Sequence, residues 1–204
     1  MHIVCTDLEG VLVPEIWIAV AEKTGIPDLR LTTRDIADYD ELMRHRLAIL
    51  ERQKLKLKDI TNVIDKMAPL DGALEFLDWL RAETQVIIVS DTYVEFARPL
   101  MAKLRWPTLL CNSLQIDNAG AIAGYQLRQQ DGKRHVVEAL LRLNYQVIAM
   151  GDSYNDISML QTAHQGLLFR PPANIVDEYP QFPVAHEYAE LQRELTRLMA
   201  DLSN

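Results

Sequence analysis

The fold is decided near the start of the chain, by the segment IVCTDLE at residues 3–9. Its first residues form a short apolar run, and the run ends in a carboxylate. This pattern predicts a buried parallel strand that delivers Asp7 at its carboxyl end. In open α/β sheets ligands bind at that end of the strands, so Asp7 and the nearby Glu9 lie where chemistry is expected.

Three later segments repeat the pattern of an apolar run followed by polar residues. They are QVIIV at 85–89 before Ser90-Asp91-Thr92, YQVIAM at 145–150 before Gly151-Asp152, and GLLF at 166–169 before Arg170. Helical patterns separate the runs, notably at 73–81, 93–104 and 135–143. Strands that alternate with helices predict an α/β fold with an open parallel, Rossmann-like sheet.

The stretch from Glu15 to Met67 breaks this alternation, because it carries three apolar stripes at helical spacing. The stripes are Ile16, Trp17, Val20 and Ala21, then Leu42, Met43, Leu47 and Leu50, then Ile60, Val63, Ile64 and Met67. We expect a small all-helical cap at residues 15–67, inserted after the first strand of an α/β catalytic core formed by residues 1–14 and 68–204. The alternative is a set of helices packed on a face of the sheet.

Two smaller elements complete the predicted fold. The segment LQIDNAGAIAGY at residues 114–125 predicts a minor β-hairpin. After a proline-rich loop, an amphipathic helix ends the chain, with Leu191, Leu195 and Leu198 on one face. That face packs either on its own sheet or on a second subunit, and the second case would give a homodimer.

The composition excludes several classes of function. A net charge of -8 argues against a nucleic-acid partner, because such surfaces need clustered Lys and Arg. No apolar run is long enough to span a bilayer, and the first residues lack the pattern of a signal peptide, so we expect a cytoplasmic location and no membrane partner. The two cysteines, Cys5 and Cys111, lie in apolar runs and are expected to be buried, inert thiols.

Polar groups at the predicted strand ends supply the candidate site. Asp7 and Glu9 are two carboxylates that can divide the tasks of nucleophile and proton transfer, although acidic residues after a strand are also common helix caps. Ser90 precedes a predicted helix whose first amides are unpaired. It is therefore a seat for phosphate or an ordinary N-cap.

Two more signals follow along the chain. Lys133 stands at a helix start, where the dipole favours anions, so it faces a ligand or is a solvated lysine; Arg134 could take the same role. The segment GDSYND at 151–156 carries Asp152 and Asp156 directly after an apolar strand. Such oxygen ligands suit Mg²⁺, whereas a purely structural turn would not need the second acid. A divalent cation would also let an acidic chain bind an anionic substrate.

In this order along one parallel sheet, these groups resemble the four motifs of the haloacid dehalogenase superfamily. The resemblance spans Asp7 to Asp156, and the helical insertion is similar to that superfamily's first cap type. Within the superfamily the chain looks most like the phosphoserine phosphatases. Glu15 and Arg46 match the residues that hold the substrate's ammonium and carboxylate groups in that family. Without the resemblance, Glu15 and Arg46 are equally well read as part of a solvated helix face.

The chain departs from the usual pattern of the phosphoserine phosphatases at two positions, and both departures resemble one branch of that family. Glu9 replaces the usual Asp of proton transfer, and the side chain of Asp91 stands where Ser-Gly-Gly has its first glycine. Both features resemble the bifunctional phosphoserine phosphatase/homoserine phosphotransferase branch. In that branch the phosphoryl group of O-phospho-L-serine passes either to water or to L-homoserine.

The resemblance implies a role for each candidate residue. Asp7 would be the nucleophile and form an aspartyl-phosphate, with Glu9 as the acid and then the base. Mg²⁺ would be bound by Asp7, the backbone carbonyl of Glu9 and Asp152, with Asp156 orienting the metal's waters and Lys133. The residues expected to bind the substrate are Glu15, Arg46, Ser90, Asp91, Lys133 and Asn155.

Two other functions remain open at this point. One is a phosphatase of another small phosphoester, and the other is a non-catalytic sensor of a phosphometabolite. Glu15 and Arg46 argue against the first, because only an amino-acid substrate needs partners for both of its charges. Asp7, Lys133 and Asp152 argue against the second, because a sensor has no need of a nucleophile.

Overall fold

The computed structural model describes residues 1–32, 35–36 and 38–203. Its strands are β1 (His2–Thr6), β2 (Gln85–Tyr93), β3 (Leu109–Ile116), β4 (Ile122–Gln126), β5 (Gln146–Gly151), β6 (Gln165–Phe169) and β7 (Val184–Ala185). Its α-helices are α1 (Ile16–Thr24), α2 (Tyr39–Gln53), α3 (Leu57–Ile64), α4 (Ala73–Glu83), α5 (Val94–Lys103), α6 (Gly132–Arg142), α7 (Ile157–Thr162), α8 (Ala173–Glu178) and α9 (Tyr188–Asp201). Short 3-10 helices cover Pro27–Arg30 and Tyr154–Asp156.

These strands form one sheet in the order β4-β3-β2-β1-β5-β6-β7. Neighbouring strands run parallel except β3 and β4, which are antiparallel. At the centre, Thr6 of β1 lies beside Ile88 of β2 and Met150 of β5. Because parallel strands end at the same edge, the residues that end β1, β2 and β5 meet there. The predicted α/β fold with an open parallel sheet is confirmed.

Alternate residues of β1 face opposite sides of the sheet, and the core therefore has two layers. Val4 packs in one layer with Ile88, Ile148 and the apolar faces of α4 and α9. Ile3 and Cys5 pack in the other layer with α6 and α7. The central strand is thus buried on both faces, which explains its almost unbroken apolar sequence.

The apolar face of the C-terminal helix packs on its own sheet. Leu191, Leu195 and Leu198 of α9 are buried in the same layer as Val4. Of the two arrangements predicted for this helix, the structure therefore has the intramolecular one. These leucines are not available to a second subunit.

Two strands depart from the predicted pattern. The hairpin predicted at residues 114–125 is present as β3 and β4, but β3 begins earlier, at Leu109, and its first half pairs in parallel with β2. The half-buried run at 109–111 continues into the hairpin without a turn, so nothing in the sequence marked it as part of the main sheet. β7 has two residues, which is too short to show a period.

Helices α1, α2 and α3 occupy the chain between β1 and β2. α1 packs against α3, α3 also packs on α5, and α2 packs against β4. Most residues of the predicted stripes are buried, as the helical spacing required: Ile16, Trp17, Val20, Ala21, Leu42, Met43, Leu50, Ile60, Ile64 and Met67. The segment is helical as predicted, whereas its division from the core as a cap at residues 15–67 stays a prediction.

The two cysteines are free and only weakly acidic. Cys5 is buried, and Cys111 is half-buried rather than buried as predicted. Burial raises the pKa of the Cys5 thiol to about 12 and that of the Cys111 thiol to about 11. Few thiolates therefore form near neutral pH, in agreement with inert cysteines. Among the described residues, no helix has the length and apolar character needed to cross a bilayer.

Candidate active site

Four charged side chains meet at the carboxyl edge of the sheet: Asp7, Lys133, Asp152 and Asp156. Asp7 follows β1, and its backbone N–H donates to the Met150 carbonyl of β5 at 3.1 Å. Asp152 follows β5, Asp156 ends the next 3-10 helix, and Lys133 lies in the first turn of α6. All four side chains are buried. The sheet edge therefore concentrates charge where little water can reach it.

Lys133 is the centre of this group and is 2% exposed. Its Nζ donates to Asp156 Oδ1 at 2.7 Å and lies 3.0 Å from Asp7 Oδ2 and 3.7 Å from Asp91 Oδ2. Burial alone would lower the pKa of Lys133, but Asp156, Asp7 and Asp91 together raise it well above its ordinary value. The ammonium therefore stays charged. Asp156 and Asp7 engage two of its three N–H groups, and among the ion pairs of the described residues the third has only the more distant Asp91 carboxylate nearby, at 3.7 Å.

Asp156 is fully buried, and both of its carboxylate oxygens are engaged. Oδ1 accepts from Lys133, and Oδ2 accepts from the backbone N–H groups of Asp152 at 3.0 Å and Ser153 at 3.1 Å. A Cβ on Gly151 would lie 2.2 Å from Asp156 Cγ, so glycine is what lets the carboxylate approach the backbone. Asp156 thus orients both Lys133 and the loop that carries Asp152.

Asp7, Asp152 and Asp156 form a candidate metal centre. Each offers one oxygen, and these oxygens lie within 4.8 Å of one another. Asp156 already accepts three hydrogen bonds, from Lys133 and from two backbone N–H groups, so it is better suited to orient these groups than to bind the cation directly. A set of hard carboxylate oxygens suits a divalent cation such as Mg²⁺. Gly10 holds this arrangement in place: its φ is +75°, and a Cβ there would lie 2.5 Å from the Asp152 carboxylate.

We expect Gly10→Ala to weaken Mg²⁺ binding by about tenfold to 100-fold, the range found when a group that supports a metal ligand is lost. The new Cβ would displace the Asp152 carboxylate. Calorimetric titration with Mg²⁺ measures the effect. Gly25→Ala is the matched control, because Gly25 also has a positive φ, +69°, but a Cβ there meets no atom within 4 Å. Equal Mg²⁺ affinities in the two variants would contradict the prediction.

Each oxygen of the Asp7 carboxylate has a partner that helps to orient the group. Oδ1 accepts from the Leu8 N–H at 2.7 Å, and Oδ2 faces Lys133. Burial raises the pKa of Asp7 well above its ordinary value; Lys133 opposes this rise, and the carboxylates of Asp156 and Asp152 add to it. A divalent cation beside Asp7 would favour the ionised form. Such an oriented carboxylate at a strand end is well placed to attack an electrophile.

The side chain of Glu9 reaches the first helix. Its Oε2 accepts from the backbone N–H of Ile16, the first residue of α1, at 2.8 Å. Burial, followed by the nearby charge of Glu15, raises the pKa of Glu9 to about 7. A carboxyl group with this pKa can both donate and accept a proton near neutral pH. The extra methylene of glutamate, relative to aspartate, is what allows the contact with Ile16.

Arg46 of α2 is buried against Trp17 of α1, with its guanidinium carbon 4.6 Å from the ring centroid. Nη2 donates to the Leu31 carbonyl at 2.8 Å, while Nε has no hydrogen-bond partner in the described part of the chain. Burial lowers the pKa of Arg46 from its ordinary value. A buried guanidinium that lines a cavity suits a carboxylate ligand.

One cavity of about 280 Å³ joins these groups. Its lining includes the predicted site residues Asp7, Glu9, Glu15, Arg46, Ser90, Asp91, Asp152 and Asn155. Lys133 is not among the described residues that line this cavity; it lies 3.0 Å from Asp7, which does, and it lines a second cavity of about 590 Å³. The carboxylates at the sheet edge and the Glu15–Arg46 pair therefore share one space, of a size that suits a small metabolite.

The end of β2 differs from the predicted geometry. Ser90 lies inside the strand, and α5 begins only at Val94, so the reading of Ser90 as an N-cap is wrong. Ser90 is buried, and its hydroxyl accepts from the Thr92 N–H at 3.2 Å. The Asp91 carboxylate accepts from Asn155 Nδ2 at 2.8 Å. Asp91 is thus drawn toward the rim of the cavity.

Arg134 does not share the position of Lys133. It pairs with Asp131 and Glu138 on the partly exposed side of α6. The alternative that Arg134 replaces Lys133 as the ligand-facing cation is therefore wrong. Residues three and four positions apart on a helix face one another, and this spacing explains both contacts.

Several residues at the site gave no functional signal in the sequence. Trp17, Tyr39 and Arg170 line the cavity, and Gly10 supports Asp152. Trp17 belongs to an apolar stripe, which predicts a core residue. Trp17 is indeed buried in the core, and it lines the cavity as well. Gly10 follows two acidic positions directly after a strand. A glycine at such a turn is the one sequence feature that could have indicated a close approach of the backbone.

The chain belongs to the haloacid dehalogenase-like hydrolase family, whose model matches residues 10–161. Over 197 residues, covering 97% of this chain and 96% of the relative, it is 58% identical to the phosphoserine phosphatase ThrH of Pseudomonas aeruginosa. It is also 56% identical to a phosphoserine phosphatase of Pseudomonas syringae pv. tomato, over 97% of this chain and 83% of that protein. The resemblance stated from the sequence is confirmed.

Solved structures show the same fold. A substrate-bound phosphoserine phosphatase superposes with a TM-score of 0.76 at 17% identity, covering 95% of this chain and 97% of the other. An apo phosphoserine phosphatase superposes with a TM-score of 0.76 at 20% identity, covering 94% of this chain and 98% of the other. At such low identities these likenesses bear on the fold alone.

Proposed function

We propose that this protein is a Mg²⁺-dependent phosphoserine phosphatase that acts through a phosphorylated Asp7 and also transfers the phosphoryl group to homoserine. One observation carries the proposal: the cavity holds an oriented carboxylate next to a buried lysine and also a buried arginine next to a glutamate. The first pair suits a phosphoryl group, and the second suits the two charges of an amino acid. The identity to named phosphoserine phosphatases over nearly the whole chain supports this assignment.

Asp7 would attack the phosphorus in line with the departing serine oxygen. The bond between phosphorus and that oxygen breaks as the bond to Asp7 forms, and protonated Glu9 gives its proton to the oxygen. Ionised Glu9 would then take a proton from the acceptor, water or homoserine, as the acceptor oxygen attacks the aspartyl-phosphate; the bond between phosphorus and the Asp7 oxygen breaks, and the Asp7 carboxylate is regenerated. The pKa of Glu9, about 7, suits both steps.

Several residues would neutralise the charge of the phosphoryl group. The Lys133 ammonium lies 3.0 Å from Asp7, the residue that would carry the phosphoryl group, and Ser90 lines the same cavity as Asp7. Asp7 and Asp152, with the backbone carbonyl of Glu9, would hold Mg²⁺, whose charge when bound offsets that of the phosphoryl oxygens. Asp156 would keep Lys133 in place, as its 2.7 Å contact supports.

The other end of the substrate would be held by the helical segment. The Arg46 guanidinium would bind the substrate's carboxylate, and the carboxylate of Glu15, half-buried next to the start of α1, would bind its ammonium group. Homoserine has the same two charged groups and one more methylene before its hydroxyl. A site that releases serine can therefore bind homoserine as the acceptor.

Incubation with phosphoserine and Mg²⁺, with and without homoserine, tests the proposal when phosphate and phosphohomoserine are followed together. We expect phosphate release without homoserine, and phosphohomoserine at the expense of phosphate with it. Equal turnover of sugar, nucleotide and amino-acid phosphates would favour a phosphatase of another small phosphoester. Binding of phosphoserine without any Mg²⁺-dependent turnover would favour a sensor.

We expect Glu9→Asp to shift the outcome from transfer to hydrolysis, lowering the ratio of phosphohomoserine to phosphate by about fivefold or more, since small misplacements at reacting centres have large effects. The shorter side chain cannot keep its 2.8 Å contact with the Ile16 N–H, so the proton-transfer group retreats from α1 and leaves room for water. The ratio is measured in the same two-product assay.

Glu9→Gln is the control for side-chain length, because glutamine can keep the contact with Ile16 but cannot transfer a proton. It should slow the formation of both products and leave their ratio near that of the wild type. A wild-type ratio in Glu9→Asp would contradict the role assigned to the length of Glu9. The cytoplasmic location and a homodimer stay predictions.

A further inference from the structure

Tyr39 lies on the same face of α2 as Arg46. The two residues are seven positions apart, or two helical turns, and Leu42 lies between them on that face. All three line the cavity of about 280 Å³. A movement of this face relative to the sheet would therefore move the Arg46 guanidinium relative to the carboxylates at the sheet edge.

The Tyr39 hydroxyl connects this face to β2. It lies 2.6 Å from the Tyr93 hydroxyl and donates to the Asp91 carbonyl at 3.3 Å. Because a phenol has a single proton, Tyr93 must donate to Tyr39 while Tyr39 donates to Asp91. The Asn112 side chain donates to the same carbonyl at 3.1 Å. The backbone of Asp91 is thus held by two side chains, one of which belongs to α2.

These hydrogen bonds lie largely out of water. Tyr93 is 1% exposed and Tyr39 is half-buried. Burial raises the pKa of both tyrosines well above the ordinary value, so both hydroxyls keep their protons. Because water competes little for these groups, the pair of bonds restrains α2 more firmly than a surface contact would.

We propose that Tyr39 sets the distance between the Arg46 guanidinium and the end of β2 that carries Ser90, and thereby favours phosphoesters that carry an amino-acid end over those that do not. The inference rests on the proposed function, which assigns the substrate's carboxylate to Arg46 and its phosphoryl group to Asp7, Lys133 and Ser90. A substrate held at both ends must match this distance, whereas a phosphoester without an amino-acid end need not. Tyr39 is thus a positioning residue that acts through Arg46 and Asp91.

The chain offers a matched control for this role. Tyr125 of β4 hydrogen-bonds to the carboxylate of Asp40, the residue after Tyr39 in α2. Its ring also packs edge-on against that of Tyr39, with centroids 5.9 Å apart. Tyr125 is not among the described residues that line the cavity. Tyr125→Phe therefore removes a contact of the same helical turn on the side away from the substrate.

The kinetics of Tyr39→Phe on phosphoserine and on phenyl phosphate, which has no amino-acid end, test the proposal. We expect kcat/KM for phosphoserine to fall about tenfold, and that for phenyl phosphate to change less than about twofold, because only the former depends on the position of Arg46. The preference for phosphoserine over phenyl phosphate should therefore narrow by about fivefold or more. Tyr125→Phe should keep the wild-type preferences.

A second variant keeps the test decisive if Tyr39→Phe folds poorly. Tyr39→Phe/Tyr93→Phe removes both hydroxyls and leaves neither of them buried without a partner, so it avoids that source of instability. It should show the same change of preference. Equal losses on phosphoserine and phenyl phosphate, no loss on either, or the same change in Tyr125→Phe would overturn the role of Tyr39 and leave the proposed function standing.

A different result would overturn the proposed function itself. If the wild-type protein showed no preference for phosphoserine over phenyl phosphate, the assignment of an amino-acid substrate would be wrong, and the role of Tyr39 would be wrong with it. The wild-type preference and the variant preference are separate measurements. The two failures can therefore be told apart.

Discussion

Asp7→Asn is expected to abolish the turnover of phosphoserine, with a loss of about 10⁴-fold or more, as found when a nucleophile is removed. The amide oxygen is a poor nucleophile and cannot form the aspartyl-phosphate. The fold should remain, because asparagine has the same shape and its oxygen can still accept from the Leu8 N–H. The substitution also removes one of three buried negative charges, since Asp152 and Asp156 lie close by.

Phosphate release and the melting temperature are the measurements for Asp7→Asn. Acid quenching during turnover should trap phosphate on the wild-type protein and none on the variant. Asp201→Asn is the control, because Asp201 is exposed and pairs only with Arg197 among the described residues. It should keep wild-type turnover. Activity in Asp7→Asn above a few per cent of the control would overturn the covalent mechanism.

Lys133→Met should cost both activity and stability. Removing the ammonium leaves the carboxylates of Asp7 and Asp156 buried without their cation. Breaking such a buried pair typically costs about 3–5 kcal/mol of unfolding free energy. Turnover should fall about 10²-fold to 10³-fold or more, because a charge that offsets the transition state is lost. Denaturant unfolding and phosphate release measure the two effects.

The loss of stability in Lys133→Met should depend on pH in a defined direction. Burial already raises the pKa of the Asp7 carboxyl, and without the opposing ammonium this pKa rises further. At low pH the carboxyl is protonated, and the variant then loses less unfolding free energy relative to the wild type. This loss grows as the pH rises and the buried carboxyl ionises. Lys66→Met, at an exposed position, is the control and should match the wild type at every pH. A Lys133→Met protein as stable as the control at pH 8 would contradict the prediction.

Much of the site was predictable because its parts are local in sequence. Each of Asp7, Ser90 and Asp152 lies at or just past the end of an apolar run, and burial of such a run is a property of a few consecutive residues. The carboxyl ends of parallel strands meet at one edge, so these residues could be expected to lie together before any contact was known. Lys133 could be placed with them through the resemblance to a known family.

Other features of the site depend on contacts between distant parts of the chain. Tyr39 reaches the Asp91 carbonyl across 52 positions, and Lys133 reaches Asp156 across 23. No periodicity or propensity reports which donor meets which acceptor over such separations. The parallel half of β3 was missed for a related reason, since its partner β2 is far away in the chain while its local sequence continues into the hairpin.

The sequence by itself determined that the chain builds a parallel α/β sheet with a helical insertion, and that acidic residues follow its strands, because these properties arise from the order of neighbouring residues. Only the tertiary structure decided that one oxygen of Asp156 accepts from Lys133 while the other accepts from two backbone N–H groups. It also decided that Glu9 contacts α1 and that Tyr39 of α2 hydrogen-bonds to the backbone of β2. A hydrogen bond requires two groups at a set distance and angle, and packing of the whole chain fixes both.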